Sequence, residues 1–503
     1  MRQSTVPRQF RVVIDRDRCQ RCKRCVLGCG FGALEFQNGV VMSDKVDCVA
    51  CHRCVSFCPE QCITIERNPL AYREHDSWTP EAQKAALRQA ETGGVLLSGM
   101  GNDRPYGVIW DHFVLDACQV TNPSIDPLRE PMELRTFLGR KPGKVELEIG
   151  PDGKPKLKEK LPPQIVLETP IMFAPMSFGS ISLNAQKTLA MAAKRLGTLW
   201  STGEGGLHED LKEYADRAVV QCASGRFGVY EEYLNAGAMV EIKVGQGAKP
   251  GIGGHLPGGK VTLAIAETRG IPEGTEALSP APHHDIYSIE DLRQLIYALK
   301  ETTQYRVPVS VKIAAVHNVG AIASGIARAG ADVIYIDGFR GGTGAAPAVI
   351  RNHLGIPIEI ALAVVDGRLR KEGIRNQVSI IAAGSIRCSA DLAKAIALGA
   401  DAVAIGTAAL IAMGCHVCQQ CHTGNCSWGI TTQRPELTRR LDPVQRSEMV
   451  CNMIHGWTEE LKEILGALGV NAVESLRGSR DRLRALGLDE TMLKVLDVKA
   501  AGE

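Results

Sequence analysis

The sequence contains no run of about 18 apolar residues, the length that a helix needs to cross a bilayer. The nearest approach, AVAIGTAALIAMG at 402–414, is shorter and rich in small residues. A spanning helix is therefore excluded. Excess charge is missing too: 58 Lys and Arg stand against 56 Asp and Glu, a formal net charge of +2. Bulk electrostatics then gives no reason to expect nucleic-acid or membrane-surface binding. The opening residues, MRQSTVPRQF, lack the apolar core of a secretory signal, so a cytoplasmic location is expected. No G-x-G-x-x-G follows a strand-like run, and GGTGAAP at 341–347 fails that pattern. A dinucleotide-binding Rossmann turn is not predicted.

The chain has 503 residues, 45% hydrophobic and 23% charged, an ordinary balance for two or three globular domains. Cysteine is abundant, with 17 residues. In a reducing compartment these are not expected to form disulfides. Thirteen lie in three groups, at 19–29, 48–62 and 415–426. Cys118, Cys222, Cys388 and Cys451 are scattered and read as buried thiols. The grouping points to metal.

The first seventy residues contain C-x2-C-x2-C-x3-C twice: Cys19, Cys22, Cys25 and Cys29, then Cys48, Cys51, Cys54 and Cys58 with Pro59 after it. Strand-like pieces flank the repeats: FRVVID, ALEF, GVVM and CITIE. This repeat resembles the bacterial two-cluster ferredoxin, in which the fourth cysteine of each motif serves the other cluster. The resemblance implies one 4Fe–4S cluster on Cys19, Cys22, Cys25 and Cys58, and another on Cys48, Cys51, Cys54 and Cys29. Zinc, which also uses C-x2-C pairs, is the alternative. Gly30 stands where the motif has proline and is expected to loosen a turn. Cys62 is surplus and reads as a core thiol. Residues 1–71 thus form an expected electron inlet.

Residues 72–165 are read as a lead-in that wraps the next domain. TPEAQKAALRQAETGG predicts a helix ended by Gly93–Gly94, and proline-punctuated coil follows. From 166 to 430, eight short apolar runs recur: PIMFAPMS, LWSTGEGG, AVVQCASG, MVEIKVGQG, VPVSVKI, VIYIDGF, IIAAGSI and AVAIGTA. Alanine-rich helical segments separate several of them. Eight β/α units predict an α/β fold, a (β/α)8 TIM barrel, with functional groups where the strands end. Residues 431–503 read as a helical tail. The seventh and eighth runs end in AAGS and IGTA, whose glycines suit either a phosphate cradle or tight turns, and Arg387 is placed to add charge. Lys312 closes the fifth run, either against the N1/O2 edge of a flavin or as a plain rim lysine.

The motifs APMSFGSIS, STGEGG, QCASGRFGV, EIKVGQGAKPGIGGHLPG, SPAPHHDIYSIEDL, GADVIYIDGFRGGTGAAP and GTAALIAMGC follow in order. Together they resemble the FMN-binding synthase domain of glutamate synthase. With the fused ferredoxin-like part, the chain looks like the separate large subunit of the archaeal-type enzyme. The resemblance implies that ammonia adds to 2-oxoglutarate and that reduced FMN converts 2-iminoglutarate to L-glutamate. It implies flavin-ring contacts at Ser177, Gln221 and Lys312. It places phosphate-side contacts at Gly341, Gly342, Gly384, Ser385, Gly406 and Thr407. Lys249 and Arg269 would clamp the two carboxylates, and Glu204 would handle ammonia or a proton. The family commonly has Asn at the place of Ser201 and Gln at the place of His255, so His255 is a departure within the substrate site. His283 and His284 match the family, as substrate contacts or as loop-shaping residues.

Against that family, the chain shows neither an N-terminal nucleophilic cysteine nor a glycine-repeat β-helix. A separate glutaminase subunit, and a separate NAD(P)H-oxidising or ferredoxin donor subunit, are therefore expected in a hetero-oligomer. Related alternatives are an N-methylglutamate synthase-type subunit, an IMP dehydrogenase-like barrel and a non-catalytic electron-transfer adaptor. In the family, Cys415, Cys421 and Cys426 would hold a 3Fe–4S cluster. Cys418 departs from that pattern and recreates C-x2-C-x2-C. A thiolate at the fourth corner favours a third 4Fe–4S cluster over 3Fe–4S or a structural zinc.

Overall fold

The computed structural model describes residues 6–43, 48–69, 71–72, 79–104, 106–119 and 123–503. Its centre is a sheet of eight strands, all parallel. In chain order they are β1 (Ile171–Phe173), β2 (Trp200–Gly203), β3 (Ala218–Ala223), β4 (Met239–Lys243), β5 (Val309–Ala314), β6 (Val333–Asp337), β7 (Ser379–Ala383) and β8 (Ala402–Ile405). Each lies on one of the eight apolar runs, with β5 and β7 overrunning theirs by one residue. They read as continuous apolar stretches because helices cover the outside while side chains fill the inside. The hydrogen-bonded order is β1-β8-β7-β6-β5-β4-β3-β2. The ring closes where the Phe173 N–H donates to the Leu199 carbonyl at 2.9 Å, just ahead of β2. The expected TIM barrel is therefore observed.

Met172, Val219, Met239, Val333, Tyr335 and Ile381 fill the barrel interior. Leu138 and Leu167 join that cluster from an antiparallel pair, Thr136–Gly139 with Gln164–Leu167. The Gly139 N–H donates to Ser379 Oγ at 3.1 Å, at the start of β7. The pair thus plugs the bottom of the barrel and leaves the C-terminal ends of the strands for chemistry.

Local signals set the helices. Ser182 caps Leu183–Leu196 by accepting from the Ala185 N–H, and Gly197 ends it in the left-handed region. Thr79 caps Pro80–Thr92, which Gly93 ends. The long helix Pro443–Ala467 lies along Leu183–Leu196. Among the described residues no helix is long and apolar enough to cross a membrane.

The N-terminal part pairs Phe10–Ile14 with Ile63–Arg67, and Glu35–Gln37 with Val40–Met42. Each cysteine turn runs into a short helix, Arg24–Gly28 or Arg53–Ser56. This part docks on the barrel's 414–430 loop. Trp428 Nε1 donates to the Cys51 carbonyl at 2.9 Å, and Arg440 donates to the Gly28 and Leu27 carbonyls at 2.8 and 2.7 Å. His416 stacks between His52 and Trp428, with ring centroids 5.6 and 5.1 Å away. Gly30 corrects an expectation: it serves close approach. Its N–H donates to Ser427 Oγ at 2.8 Å, and an added Cβ would lie 2.5 Å from the Asn425 carbonyl oxygen.

A buried ion network ties the tail to the barrel floor. Asp401, ahead of β8, meets Arg375 at 2.7 Å and Arg477 at 2.5 Å, while Asp366 meets Arg375 at 2.8 Å and Arg480 at 3.2 Å. Burial alone would raise the Asp401 carboxyl, but Arg375 and Arg477 more than offset it and hold it below its ordinary value. Removing one member leaves the others charged and unpaired. Asp401→Ala is therefore expected to cost about 3–5 kcal/mol, read by denaturant unfolding; an unchanged midpoint would refute the network's role.

Candidate functional site

A cavity opens at the C-terminal end of the barrel. Ala174–Ser177 follow β1, Glu204 follows β2, Gln221 lies on β3 and Lys243 ends β4. Lys312 lies on β5, Asp337 ends β6, Gly384 and Ser385 follow β7, and Gly406 and Thr407 follow β8. Gly341 and Gly342 enter from the loop after β6. The long excursion between β4 and β5 brings Lys249, His255, Lys260 and Arg269 over the mouth.

One wall is rich in charge. Glu204 is 9% exposed and accepts from Lys243 Nζ at 3.0 Å and from Ser279 Oγ. Burial would raise its carboxyl; Lys243, with Arg269 and Lys249 nearby, overcomes this and keeps it below the usual range. Glu204 is therefore an ionised acceptor. A Cβ on Gly254 would intrude on Glu204 Oε2, so that glycine lets the loop close over the carboxylate. Lys249 donates to the Ala345 carbonyl at 3.2 Å, and burial, aided by Lys243, lowers it to about 8. Arg269 Nη2 donates to the Phe178 carbonyl at 3.0 Å and to Ser177 Oγ at 3.2 Å. Its buried Nε has no partner, nor has His255 Nε2. His255 Nε2 lies 3.7 Å from Glu276.

Neighbouring strands add fixed charges and dipoles, and the far strands add small residues. Lys312 Nζ sits 3.3 Å from Asp337 and 4.1 Å from the centre of the Tyr335 ring. Gln221 Nε2 donates to Glu241 at 2.8 Å. Gly384 has φ +120°, and a Cβ there would lie 3.0 Å from the Gly338 backbone. Only glycine fits that approach. Ser385 also has positive φ, +64°, and donates to the Arg340 carbonyl.

All the non-cysteine candidates gather in this cavity: Ser177, Glu204, Gln221, Lys249, His255, Arg269, Lys312, Gly341, Gly342, Gly384, Ser385, Gly406 and Thr407. Arg387 does not join them, because its guanidinium pairs with Asp111 and Asp391. His283 shapes a loop: its ring nitrogens lie 2.7 Å from the Lys243 carbonyl and 3.3 Å from Arg226, and burial lowers its affinity for a proton. His284 is exposed outside the cavity. Sequence reasoning passed over Lys243 and Asp337, although both are charges at strand ends. It also passed over Met100 and Lys260, which no local pattern marks.

The cysteines form a chain of neighbours. Cys19, Cys22, Cys25 and Cys58 line one recess, with Cys62 Sγ 3.4 Å from Cys58 Sγ. Cys29, Cys48, Cys51 and Cys54 are mutual neighbours, and Cys54 also feels Cys25. Cys51 feels Cys426, and Cys421 lines the large cavity. Burial and neighbouring thiols push Cys54 and Cys415 up to about 12. Among the described residues no three His, Cys, Asp or Glu side chains gather tightly enough for a single metal ion. The three turns share one backbone signature. The second residue after the first cysteine and the residue after the second cysteine have positive φ: Arg21 and Lys23, Ala50 and His52, Val417 and Gln419. Such angles are uncommon outside glycine, and they recur in register.

A profile described as the conserved region in glutamate synthase matches residues 104–471. A Thermotoga maritima protein named archaeal-type glutamate synthase (NADPH) is 60% identical over 505 residues, covering 100% of both chains. The archaeal glutamate synthase (NADPH) of Archaeoglobus fulgidus is 59% identical over 498 residues, 98% of each chain. The glutamate synthase (NADPH) large chain of Bacillus subtilis is 42% identical over 320 residues, 62% of this chain and 21% of that one. Among solved structures, mandelate oxidase with (S)-2-phenylpropionate aligns at a TM-score of 0.42 and 16% identity, over 77% of this chain and 91% of that one. The family profile and the end-to-end relatives converge on one conclusion: this chain belongs to the glutamate synthase family.

Proposed function

We propose that this chain is the FMN- and iron–sulfur-dependent synthase subunit of a glutamate synthase, forming L-glutamate from 2-oxoglutarate and ammonia. The observation that carries this is one cavity holding Lys249, Arg269 and an ionised Glu204 together with glycine-lined strand ends. When bound, reduced FMN supplies the hydride for the imine of 2-oxoglutarate, and the clusters supply its electrons. The lining fits that group: Gly384 leaves a close backbone approach that a Cβ would fill, and Lys312 and Arg269 supply cations for acidic groups. Gly341, Gly342, Gly384, Ser385, Gly406 and Thr407 would hold the phosphate side. Ser177, Gln221 and Lys312 would hold the ring.

Lys249 and Arg269 bind the two carboxylates, and Arg269 does so from a guanidinium already fixed by Ser177 and Phe178. Glu204 is kept ionised, so it accepts rather than donates. It holds incoming ammonia through an accepted hydrogen bond and takes up its proton at Oε2. His255 lends a further donor to the substrate. The loop over Gly254 narrows access to water.

Two 4Fe–4S clusters are assigned to Cys19, Cys22, Cys25 and Cys58, and to Cys48, Cys51, Cys54 and Cys29. A third is assigned to Cys415, Cys418, Cys421 and Cys426. The shared positive-φ signature supports four irons there rather than three, because Cys418 occupies the same turn position as Cys22 and Cys51. Glutamine-derived ammonia and reducing equivalents would arrive from separate glutaminase and electron-donor subunits, in the cytoplasm. The relatives carry the glutamate synthase name, which weighs against the methylamine-using alternative.

The test is direct. The purified chain, given reduced methyl viologen and 2-oxoglutarate, should form glutamate from ammonium but not from glutamine. No glutamate from ammonium would overturn the function, and glutaminase activity in the pure chain would overturn the partner assignment. Arg269→Ala should cost roughly 2–5 kcal/mol in kcat/KM for 2-oxoglutarate, since one side of a desolvated charge pair is lost; an unchanged value would remove Arg269 from the clamp. Lys249 adds a pH signature. It is charged below about 8 and neutral above, so kcat/KM for 2-oxoglutarate should fall as pH rises through that value. Lys249→Arg, always protonated, should flatten the alkaline fall; persistence of the same limb would assign it to another group.

A further inference from the structure

We propose that Lys260 is a positioning residue for electron transfer: a buried cation that compensates the negative charge of the 415–426 cysteine loop and so sets the reduction potential of the cluster held there. This rests on reading that loop as an iron–sulfur site. Lys260 ends a short turn, Gly258–Lys260, and its side chain is 5% exposed. Nζ donates to the Cys421 carbonyl at 2.7 Å. The loop also wraps the stem: a Cβ on Gly424 would lie 3.6 Å from Lys260 Cε. The same side chain lines the large cavity, as does Cys421. It therefore stands where the cysteine loop meets the flavin site.

Its charge balance sets it apart. The other four cations of the cavity have an acid in reach: Lys243, Lys249 and Arg269 share Glu204, and Lys312 has Asp337. Among the described residues no carboxylate pairs with Lys260. Burial disfavours its charge, and the groups that favour it are Cys421 and Cys426. A buried ammonium without an anion is costly, and several kcal/mol is the usual scale. Thiolates on a cluster are the anions placed to balance it. On reduction the cluster takes one electron; its charge becomes one unit more negative, and no bond forms or breaks. A fixed cation beside it favours the reduced form. Lys260 would thereby make this cluster easier to reduce and poise it to receive electrons from the N-terminal turns.

The experiment is an EPR-monitored redox titration of the full chain with its clusters, for wild type, Lys260→Met, Lys260→Gln and Lys260→Arg. Iron is counted in each. Loss of the charge should lower the equilibrium constant for reducing the third cluster about tenfold or more, 59 mV for each tenfold. The two N-terminal clusters should keep their midpoints, and Lys260→Arg should restore most of the shift. Loss of the third cluster in Met and Gln but not in Arg would also support charge compensation. An unmoved midpoint with full iron, an equal shift of all three clusters, or iron loss that Arg does not rescue would overturn it. A wild-type chain with no third-cluster signal is a separate result: it sinks the reading of the loop, and this inference with it.

Discussion

One loop has to touch two places at once. Between Gly414 and Ile430 the chain meets the Cys51 turn on one side and the mouth of the barrel on the other. Electron transfer tolerates only short gaps, so that double contact constrains everything near it. Trp428 packs over Gly414, where any Cβ would lie 2.8 Å from the indole. Gly99 leaves room for Cys421, whose Cβ and Sγ would meet a side chain there at 2.6 and 2.9 Å. The lead-in strand is threaded between this loop and the loop after β6: the Gly99 N–H donates to Gln419 and the Met100 N–H to Thr343. Small residues at these points are spatial requirements, and they explain why the lead-in belongs to the site.

The cavity follows a second rule: apart from Lys260, its buried charges are held by a charged or polar side chain. Lys243 fixes Glu204, Asp337 fixes Lys312, and Gln221 satisfies Glu241. The groups are oriented before any ligand arrives, which is the condition under which dipoles and charges stabilise a reacting centre without reorganising.

Much of this was legible in the sequence because it is local. Cysteine spacing reports a turn, and an apolar run bounded by glycine reports a barrel strand. Each of the eight runs carries a strand that overruns it by at most one residue. Charges such as Lys312 stood at strand ends, where a barrel collects its functional groups. What escaped notice depends on partners far away in the chain. Leu97–Ser98 pairs with Ala346–Pro347, and Phe113–Leu115 with Leu483–Ala485; neither short piece has a periodicity of its own. Gly30 looked like a missing proline until Asn425 was found against it. Arg387, expected to add charge to the glycine-lined cradle, is instead claimed by Asp111, far away in the chain. Lys260 is invisible locally, because its meaning lies in an acid that is absent from its surroundings.

The pairing of Phe113–Leu115 with Leu483–Ala485 bears on how the molecule is made. Strands more than three hundred residues apart must meet, and Arg477 and Arg480 must reach Asp401 and Asp366 beneath the finished barrel. Closing so long a loop is slow relative to local structure. While synthesis proceeds, the barrel floor therefore carries two buried carboxylates whose full set of arginines has not yet emerged. Residues 477–485 act as a latch: Arg477 and Arg480 neutralise those acids, and Leu483–Ala485 pairs with the lead-in strand.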